Sequence, residues 1–162
     1  MLAPARGAVV VREIRAGELD PELFERPPGA VDERFASGSR CIAACDGDRL
    51  AGYMWLHCGA LRERLVDCDF EALPNERAWW DYDLEVMPKY RLGRTFARLW
   101  DAAFAMMREN GIEHSVSWIL WSNTDSVRAH ERMGARKVGW LILLDAFGLK
   151  IGLQSSPRVV LL

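Results

Sequence analysis

The feature that most constrains this chain is the run from Trp79 to Ala135, where an alternating apolar segment leads through a basic, glycine-containing turn into a long amphipathic helix. A second apolar strand and a short helix follow. The first N–H groups of a helix have no partner within the helix, so a strand that leads into such a turn is well suited to bind a phosphorylated ligand. The run predicts an α/β domain with an anion site at the start of the long helix.

Composition limits the kind of protein. The chain has 162 residues, half of them apolar, which allows one domain over residues 1–162 with a core that needs no disulfides. The net charge of −2 argues against general binding to nucleic acid or anionic membranes, because both depend on a summed positive field.

Cysteine spacing and hydropathy point to the cytoplasm. The four cysteines match neither a CxxC pair nor a zinc ribbon, so we expect free thiols and no metal site. No apolar run approaches the ~20 residues that a spanning helix needs, and the Val9–Val11 run has no small-residue cleavage site. We therefore expect a cytoplasmic protein without membrane contact.

Hydrophobic periodicity predicts the elements. Asp46-Gly47-Asp48 between two apolar runs predicts a hairpin. Apolar residues at helical spacing predict a helix over Leu92–Asn110, and Asn123 or Thr124 caps a short helix that stops at Gly134. The predicted strands are Val9–Ile14, Arg40–Cys45, Leu50–His57, Leu65–Phe70, Trp79–Val86, His114–Trp121, Lys137–Leu144, Leu149–Gln154 and Arg158–Leu162.

Alternation in the Trp79–Val86 strand predicts two different faces, because successive strand side chains point to opposite sides. One face holds Trp80, Tyr82, Leu84 and Val86, and the other holds Trp79, Asp81, Asp83 and Glu85. Three carboxylates on one face repel each other, which would raise the pKa of at least one of them. The alternatives are a solvated face or pairing of these carboxylates with arginines.

Four basic residues crowd the start of the predicted long helix, namely Lys89, Arg91, Arg94 and Arg98. Cations at this end are normally disfavoured by ~0.3–1 kcal/mol each. A pyrophosphate would offset them, and the alternative is that these long side chains simply lie in water.

Two motifs resemble the GCN5-related N-acetyltransferase (GNAT) superfamily. Val86-Met87-Pro88-Lys89-Tyr90-Arg91 is similar to the family's Val-x-Pro-x-Tyr-Arg strand end. In the following loop Gly93 is displaced by one position, and Arg94 and Phe96 replace two expected glycines. Asn123–Ala135 resembles the family segment that begins with Asn and ends in a Tyr-Glu-Lys-Leu-Gly-Phe-like sequence. Two motifs in register, about 35 residues apart, are more specific than either alone.

The resemblance implies a GNAT-like single α/β (α+β) domain. Its mixed, mostly antiparallel central sheet would have six or seven strands and about four flanking helices. Two parallel central strands, Trp80–Val86 and Ser115–Trp121, would splay apart to hold donor and acceptor. The C-terminal strand Val159–Leu162 would either support a homodimer or lie inside the sheet.

The resemblance also implies direct transfer of an acyl group from acetyl-CoA, or another acyl-CoA, to the amine of a small-molecule acceptor, without a metal. Backbone groups at Leu84, Val86 and Met87 would pair with the pantetheine arm and polarise the thioester carbonyl. Asn123 and Ser126 would either cap their helix or contact the coenzyme arm. The residues implied in pyrophosphate binding are Arg91, Leu92, Gly93, Arg94, Thr95 and Phe96.

Such a reaction needs a base for the amine and an acid for the leaving thiolate. Asp83 is the first candidate for the base, followed by Asp81 and Glu85, because the family often places its base on this strand. His130 stands where the family commonly has a tyrosine acid, and an imidazolium with an ordinary pKa of ~6.5 can serve. A structural histidine is the alternative.

Two further hypotheses remain open. An enzyme that takes long acyl chains from acyl carrier protein would suit the basic cluster and the altered glycine loop. A non-catalytic regulatory module that binds acyl-CoA would suit the loss of the tyrosine and the glycines.

Overall fold

The structure, a computed structural model, describes residues 9–63, 68–72, 76–146, 149–155 and 159–161. The strands within these ranges are β1 (Val10–Ile14), β2 (Arg40–Asp46), β3 (Arg49–Cys58), β4 (Ala60–Glu63), β5 (Cys68–Ala72), β6 (Ala78–Val86), β7 (His114–Val116), β8 (Leu141–Ala146), β9 (Leu149–Gln154) and β10 (Val159–Leu161). The α-helices are α1 (Ala30–Ala36), α2 (Thr95–Asn110) and α3 (Thr124–Arg132), with 3₁₀ turns at Pro21–Phe24 and Pro88–Tyr90.

The central sheet has the order β1-β2-β3-β6-β7, in which only β6 and β7 are parallel among the described strands. This confirms the mixed, mostly antiparallel α/β architecture and the β2–β3 hairpin. The predicted six or seven central strands are five among the described residues, because the later strands pair elsewhere. β8 pairs with β9, and β10 pairs with β5. The C-terminal strand therefore pairs within its own chain, which was the predicted alternative to a homodimer contact. The predicted strand start at Leu65 and the residues Arg158 and Leu162 lie outside the described ranges.

The two parallel strands separate after three paired positions. β6 and β7 pair only from Ala78 opposite His114 to Trp80 opposite Val116 within the described chain. Residues 117–120 continue without strand pairing, so the strand predicted to reach Trp121 ends at Val116. The predicted splay is therefore present between β6 and the segment after β7.

A β-bulge in β6 reorders its two faces. Trp55 pairs with Tyr82, and Tyr53 pairs with Glu85. Met54, the β3 residue between them, therefore opposes both Asp83 and Leu84. Asp83 takes up the extra length with a φ of 46°. The predicted grouping of Asp81, Asp83 and Glu85 on one face was therefore wrong, because alternation is broken at Asp83.

Helices cover both faces of the central sheet. Leu99, Ala103 and Met106 of α2 pack against Met54 and Leu56 of β3. On the other face, α1 residues pack around Trp55. α2 begins at Thr95 rather than at the predicted Leu92, because the preceding chain forms a 3₁₀ turn and a further turn, and it ends at Asn110 as predicted.

Candidate active site

A cavity of about 460 Å³ lies in the gap between β6 and the segment after β7. Six residues of the predicted site line it, namely Asp81, Asp83, Leu84, Asn123, Ser126 and His130. The structure thus brings together residues from a strand and a helix that are more than 30 positions apart. Glu85, Val86, Met87 and the turn from Arg91 to Phe96 lie outside this lining in the described chain.

His130 is held on α3 in a defined orientation. It is buried, and the rings of Phe96 and Trp100 lie nearly perpendicular to its imidazole at centroid distances of 6.0 and 5.7 Å. Its Nδ1 lies 2.7 Å from the carbonyl oxygen of Ser126, so Nδ1–H donates to that oxygen. The other ring nitrogen, Nε2, is on the cavity side and is the one that can gain or lose a proton there. Burial alone would lower the pKa of His130, but Asp81 and the Ser126 carbonyl raise it overall.

Asp81 is the charged neighbour of that histidine. Its Oδ1 lies 3.9 Å from Nε2 of His130, and the residue is only 3% exposed. The hydroxyl of Ser115 donates to Oδ2 at 2.6 Å, and the hydroxyl of Ser117 donates to Oδ1. Trp79 Nε1 donates in turn to the Ser115 oxygen at 2.7 Å. Asp81 is thus a buried carboxylate held by β7 and the segment after it.

Asp83 points to the opposite face of the sheet and is paired with two arginines, Arg26 and Arg34. Burial alone would raise its pKa, but the hydrogen bonds of Arg26 and the charge of Arg34 lower the pKa overall. The expectation that mutual repulsion would raise the pKa is wrong for Asp83, and the alternative of arginine pairing is confirmed. A role of Asp83 as the base stays a prediction.

Glu85 belongs to the same polar cluster as Asp83. It accepts a hydrogen bond from Arg26 Nη2 at 2.7 Å, and Arg91 Nη2 lies 3.8 Å from its other oxygen. These contacts place Glu85 beside the cavity wall rather than in it.

The N-terminal end of α2 is open. Residues 91–94 are exposed, and Arg94 directly precedes the first turn of the helix. Arg91 Nε donates to the Val86 carbonyl at 2.9 Å, while Arg98 Nη1 donates to the Val9 carbonyl at 2.9 Å. Thr95 is buried and Phe96 packs against His130, so these two residues can offer an anion only their backbone N–H groups.

The backbone of β6 faces the gap at alternate residues. Met87 N–H donates to the Ala51 carbonyl of β3 at 3.0 Å, so this donor is already used. Because successive N–H groups of a regular strand point to opposite edges, that of Val86 faces the gap. The structure therefore favours Val86 over Met87 as a backbone donor, and Leu84 lines the cavity.

The lining residues that were not predicted as site residues include Arg26, Arg34, Ser117 and Trp118. Arg26 and Arg34 reach Asp83 across 57 and 49 positions, and no local pattern marks them. Ser115 and Ser117, by contrast, alternate along one face of the predicted strand, which could have suggested polar partners for Asp81.

Within the described ranges, no group of three or more His, Cys, Asp or Glu side chains is placed to hold a metal ion. No described helix has the length and apolar character needed to cross a membrane.

Several solved acetyltransferases have a similar fold. An acetyltransferase of Trypanosoma brucei is 18% identical over 86% of this chain and 100% of its own, with a TM-score of 0.62. AAC(6')-Iy, solved with the bisubstrate analogue CoA-S-monomethyl-acetylneamine, is 16% identical over 86% of this chain and 99% of its own, with a TM-score of 0.62. A ribosomal-protein-alanine N-acetyltransferase from Brucella melitensis biovar Abortus 2308 is 16% identical over 87% and 100%, with a TM-score of 0.61.

Curated protein sequences give no match to this chain. The sequence model of the acetyltransferase (GNAT) family, however, matches residues 11–135. This range contains the splayed strands, the open start of α2 and His130. The chain therefore belongs to the acetyltransferase (GNAT) family, and its chemistry is acyl transfer.

Proposed function

We propose that this protein transfers an acetyl group from acetyl-CoA to the amine of a polar small molecule by direct attack in the β6–β7 gap. The observation that carries the proposal is the cavity itself, where the backbone edge of β6 meets a buried histidine beside the open start of α2. The fold similarity to AAC(6')-Iy, which has been solved with CoA and with a CoA bisubstrate analogue, supports coenzyme A as the carrier.

The donor would lie along β6 with its pyrophosphate at the start of α2. Unpaired N–H groups of the first helical turn and the exposed Arg94 supply donors and positive charge there. The N–H groups of Leu84 and Val86 would then bind the pantetheine arm and the thioester oxygen. Asn123 accepts a hydrogen bond from Ser126 N–H at 3.2 Å, which supports its capping role, while both residues remain on the cavity wall.

The reaction forms a C–N bond and breaks the C–S bond of the thioester. The β6 N–H groups stabilise the oxyanion of the tetrahedral intermediate. His130 gives its Nε2 proton to the departing thiolate, a role that its raised pKa favours. The amine loses its proton to water. Asp83 is a weak base, because its ion pairs lower the pKa of its carboxyl group.

The acceptor would enter beside a polar wall made by Arg26, Arg34 and Asp83. These side chains present guanidinium N–H groups and a carboxylate to the cavity, so they favour an acceptor with several hydroxyl or amino groups. Structural neighbours described as aminoglycoside acetyltransferases, one of them in complex with sisomicin, support this class of acceptor.

Calorimetric titration with acetyl-CoA, followed by a thiol-release assay across amino sugars, amino acids and polyamines, tests the proposal. We expect binding of acetyl-CoA and amine-dependent release of free thiol with at least one polyhydroxylated amine. Binding without thiol release across the panel would instead support a regulatory module. Binding of acyl carrier protein but not of acetyl-CoA would support the carrier-dependent enzyme.

A further inference from the structure

Asp81 is a buried carboxylate that faces the histidine of the candidate site, and the reaction described above gives it no step. We propose that Asp81 is a positioning residue that keeps His130 in its imidazolium form with Nε2–H directed into the gap, ready for the departing thiolate. This inference rests on the proposed function, in which His130 is the acid.

The distance between the two side chains carries the argument. At 3.9 Å, Asp81 Oδ1 is close enough to His130 Nε2 to stabilise a positive charge but too far to accept a full hydrogen bond. The Nε2 proton is thus attracted by the carboxylate without being bound to it. The other ring proton is committed to the Ser126 carbonyl at 2.7 Å, so Nε2 is the nitrogen that can protonate a ligand in the cavity.

Hydrogen bonds hold the side chain of Asp81 in one orientation. Ser115 and Ser117 each donate to a different carboxylate oxygen, and Trp79 fixes the Ser115 hydroxyl. Both carboxylate oxygens therefore accept a hydrogen bond. These donors come from β6, β7 and the segment after β7, so the orientation of Asp81 is tied to the two strands that form the gap.

The groups that face His130 from each packed element support the same assignment. β6 presents the carboxylate of Asp81, α2 presents the uncharged rings of Phe96 and Trp100, and α3 presents the Ser126 carbonyl. The imidazolium is therefore balanced by one buried negative charge. After C–S cleavage the sulfur takes the Nε2 proton, and the neutral histidine regains a proton from solvent that enters through the cavity.

The test is a titration of His130 by NMR of the free protein with labelled histidine, combined with pH profiles of kcat. Asp81→Asn keeps the shape of the side chain and removes its charge, so we expect a lower pKa of His130 and an alkaline limb of kcat that moves to lower pH. The exposed Asp101→Asn, on α2, is the matched control and should change neither. A His130 pKa that Asp81→Asn leaves unchanged would overturn the inference.

Ser117→Ala keeps the inference testable if Asp81→Asn does not fold. The hydroxyl of Ser117 donates to Oδ1 of Asp81, the same oxygen that lies 3.9 Å from Nε2 of His130. Removing this donor leaves the negative charge of Oδ1 to interact with His130 alone, so the pKa of His130 should rise. A His130 pKa that Ser117→Ala leaves unchanged would contradict the inference.

The NMR titration also separates this inference from the proposed function. Absence of thiol release with every amine would contradict the transferase proposal and leave the measured coupling of Asp81 and His130 standing. Transfer activity together with a His130 pKa that Asp81→Asn leaves unchanged would support the transferase proposal and contradict the positioning role of Asp81.

Discussion

Arg26 Nε donates to both carboxylate oxygens of Asp83, at 3.1 and 2.9 Å. Together with the Arg34 contact, this pair joins the segment around α1 to the bulged residue of β6, at a position where the φ of Asp83 is 46°. A non-glycine residue in the left-handed region costs ~1–3 kcal/mol unless its surroundings hold it there. The two arginines therefore fix the bulge that turns Leu84 away from Asp83 and towards α2.

Asp83→Asn tests the stabilising part of this arrangement. The folded-state pKa of Asp83 is lowered, so its ion pairs stabilise the protein above the ordinary pKa, and this contribution is lost as the pH falls through the folded-state pKa. We expect the variant to lose about 1–3 kcal/mol of unfolding free energy at neutral pH and to show a weaker acid dependence. Urea denaturation across pH measures both quantities.

Asp69→Asn is the matched control for that measurement. Asp69 pairs with Arg62 at 3.0 Å, with side chains 40% and 54% exposed. An exposed pair contributes ~0–1 kcal/mol, so this variant should keep nearly the full stability. Equal losses in the two variants would contradict the role given to the Asp83 cluster.

The same Asp83→Asn variant distinguishes two roles in the reaction. If Asp83 and its arginines only position the acceptor, the KM for the amine rises and kcat falls a fewfold. If Asp83 is the general base, kcat falls by about 100-fold or more while the KM changes little. Steady-state kinetics at saturating acetyl-CoA decide between them, and we expect the first result.

Gly52→Ala tests how closely β3 approaches β6. An added Cβ would lie 2.7 Å from the Glu85 carbonyl oxygen and 3.3 Å from both Val86 Cα and Thr95 Cγ2. Two of these atoms are backbone, so β6 would have to move. We expect a loss of about 1–3 kcal/mol in stability and weaker binding of acetyl-CoA, measured by denaturation and calorimetry. Unchanged affinity would indicate that the end of β6 does not bind the donor.

The sequence predicted the parts of this site that depend on local patterns. The hairpin and the α3 cap follow from alternation, turn residues and helical spacing, whereas the splay of the two parallel strands was implied by the resemblance to the GNAT superfamily. The bulge at Asp83 was missed because a single inserted residue leaves no signature in an alternating strand. The partners Arg26 and Arg34 were missed because their approach to β6 depends on how α1 packs over Trp55.

Arg94→Glu tests the anion site at the start of α2. Arg94 is exposed next to the unpaired N–H groups of the first turn, so reversing its charge should repel a pyrophosphate. Since a hydrogen bond to a charged group is worth ~1.5–3 kcal/mol, we expect the Kd for acetyl-CoA to rise about tenfold or more.

Arg108→Glu makes the same charge change in the last turn of α2 and serves as the control. Its effect on the Kd should be much smaller, because the site lies at the other end of the helix. Equal Kd values for the Arg94 variant and the unaltered protein would remove the helix start from the donor site.

His130→Phe tests the acid in the proposed reaction. A phenyl ring can occupy the space beside Phe96 and Trp100, so we expect a folded protein that binds acetyl-CoA with an unchanged Kd. Without the proton donor, kcat at neutral pH should fall by ~10²–10⁴-fold.

The pH profile of kcat gives a second test of His130. The pKa of His130 is raised, and kcat requires its protonated form, so the unaltered enzyme should lose activity as the pH rises through that pKa. The variant should lack this alkaline limb. His114→Phe, at a histidine outside the cavity lining in the described chain, should retain both the rate and the limb. Full activity of His130→Phe would assign the histidine a purely structural role.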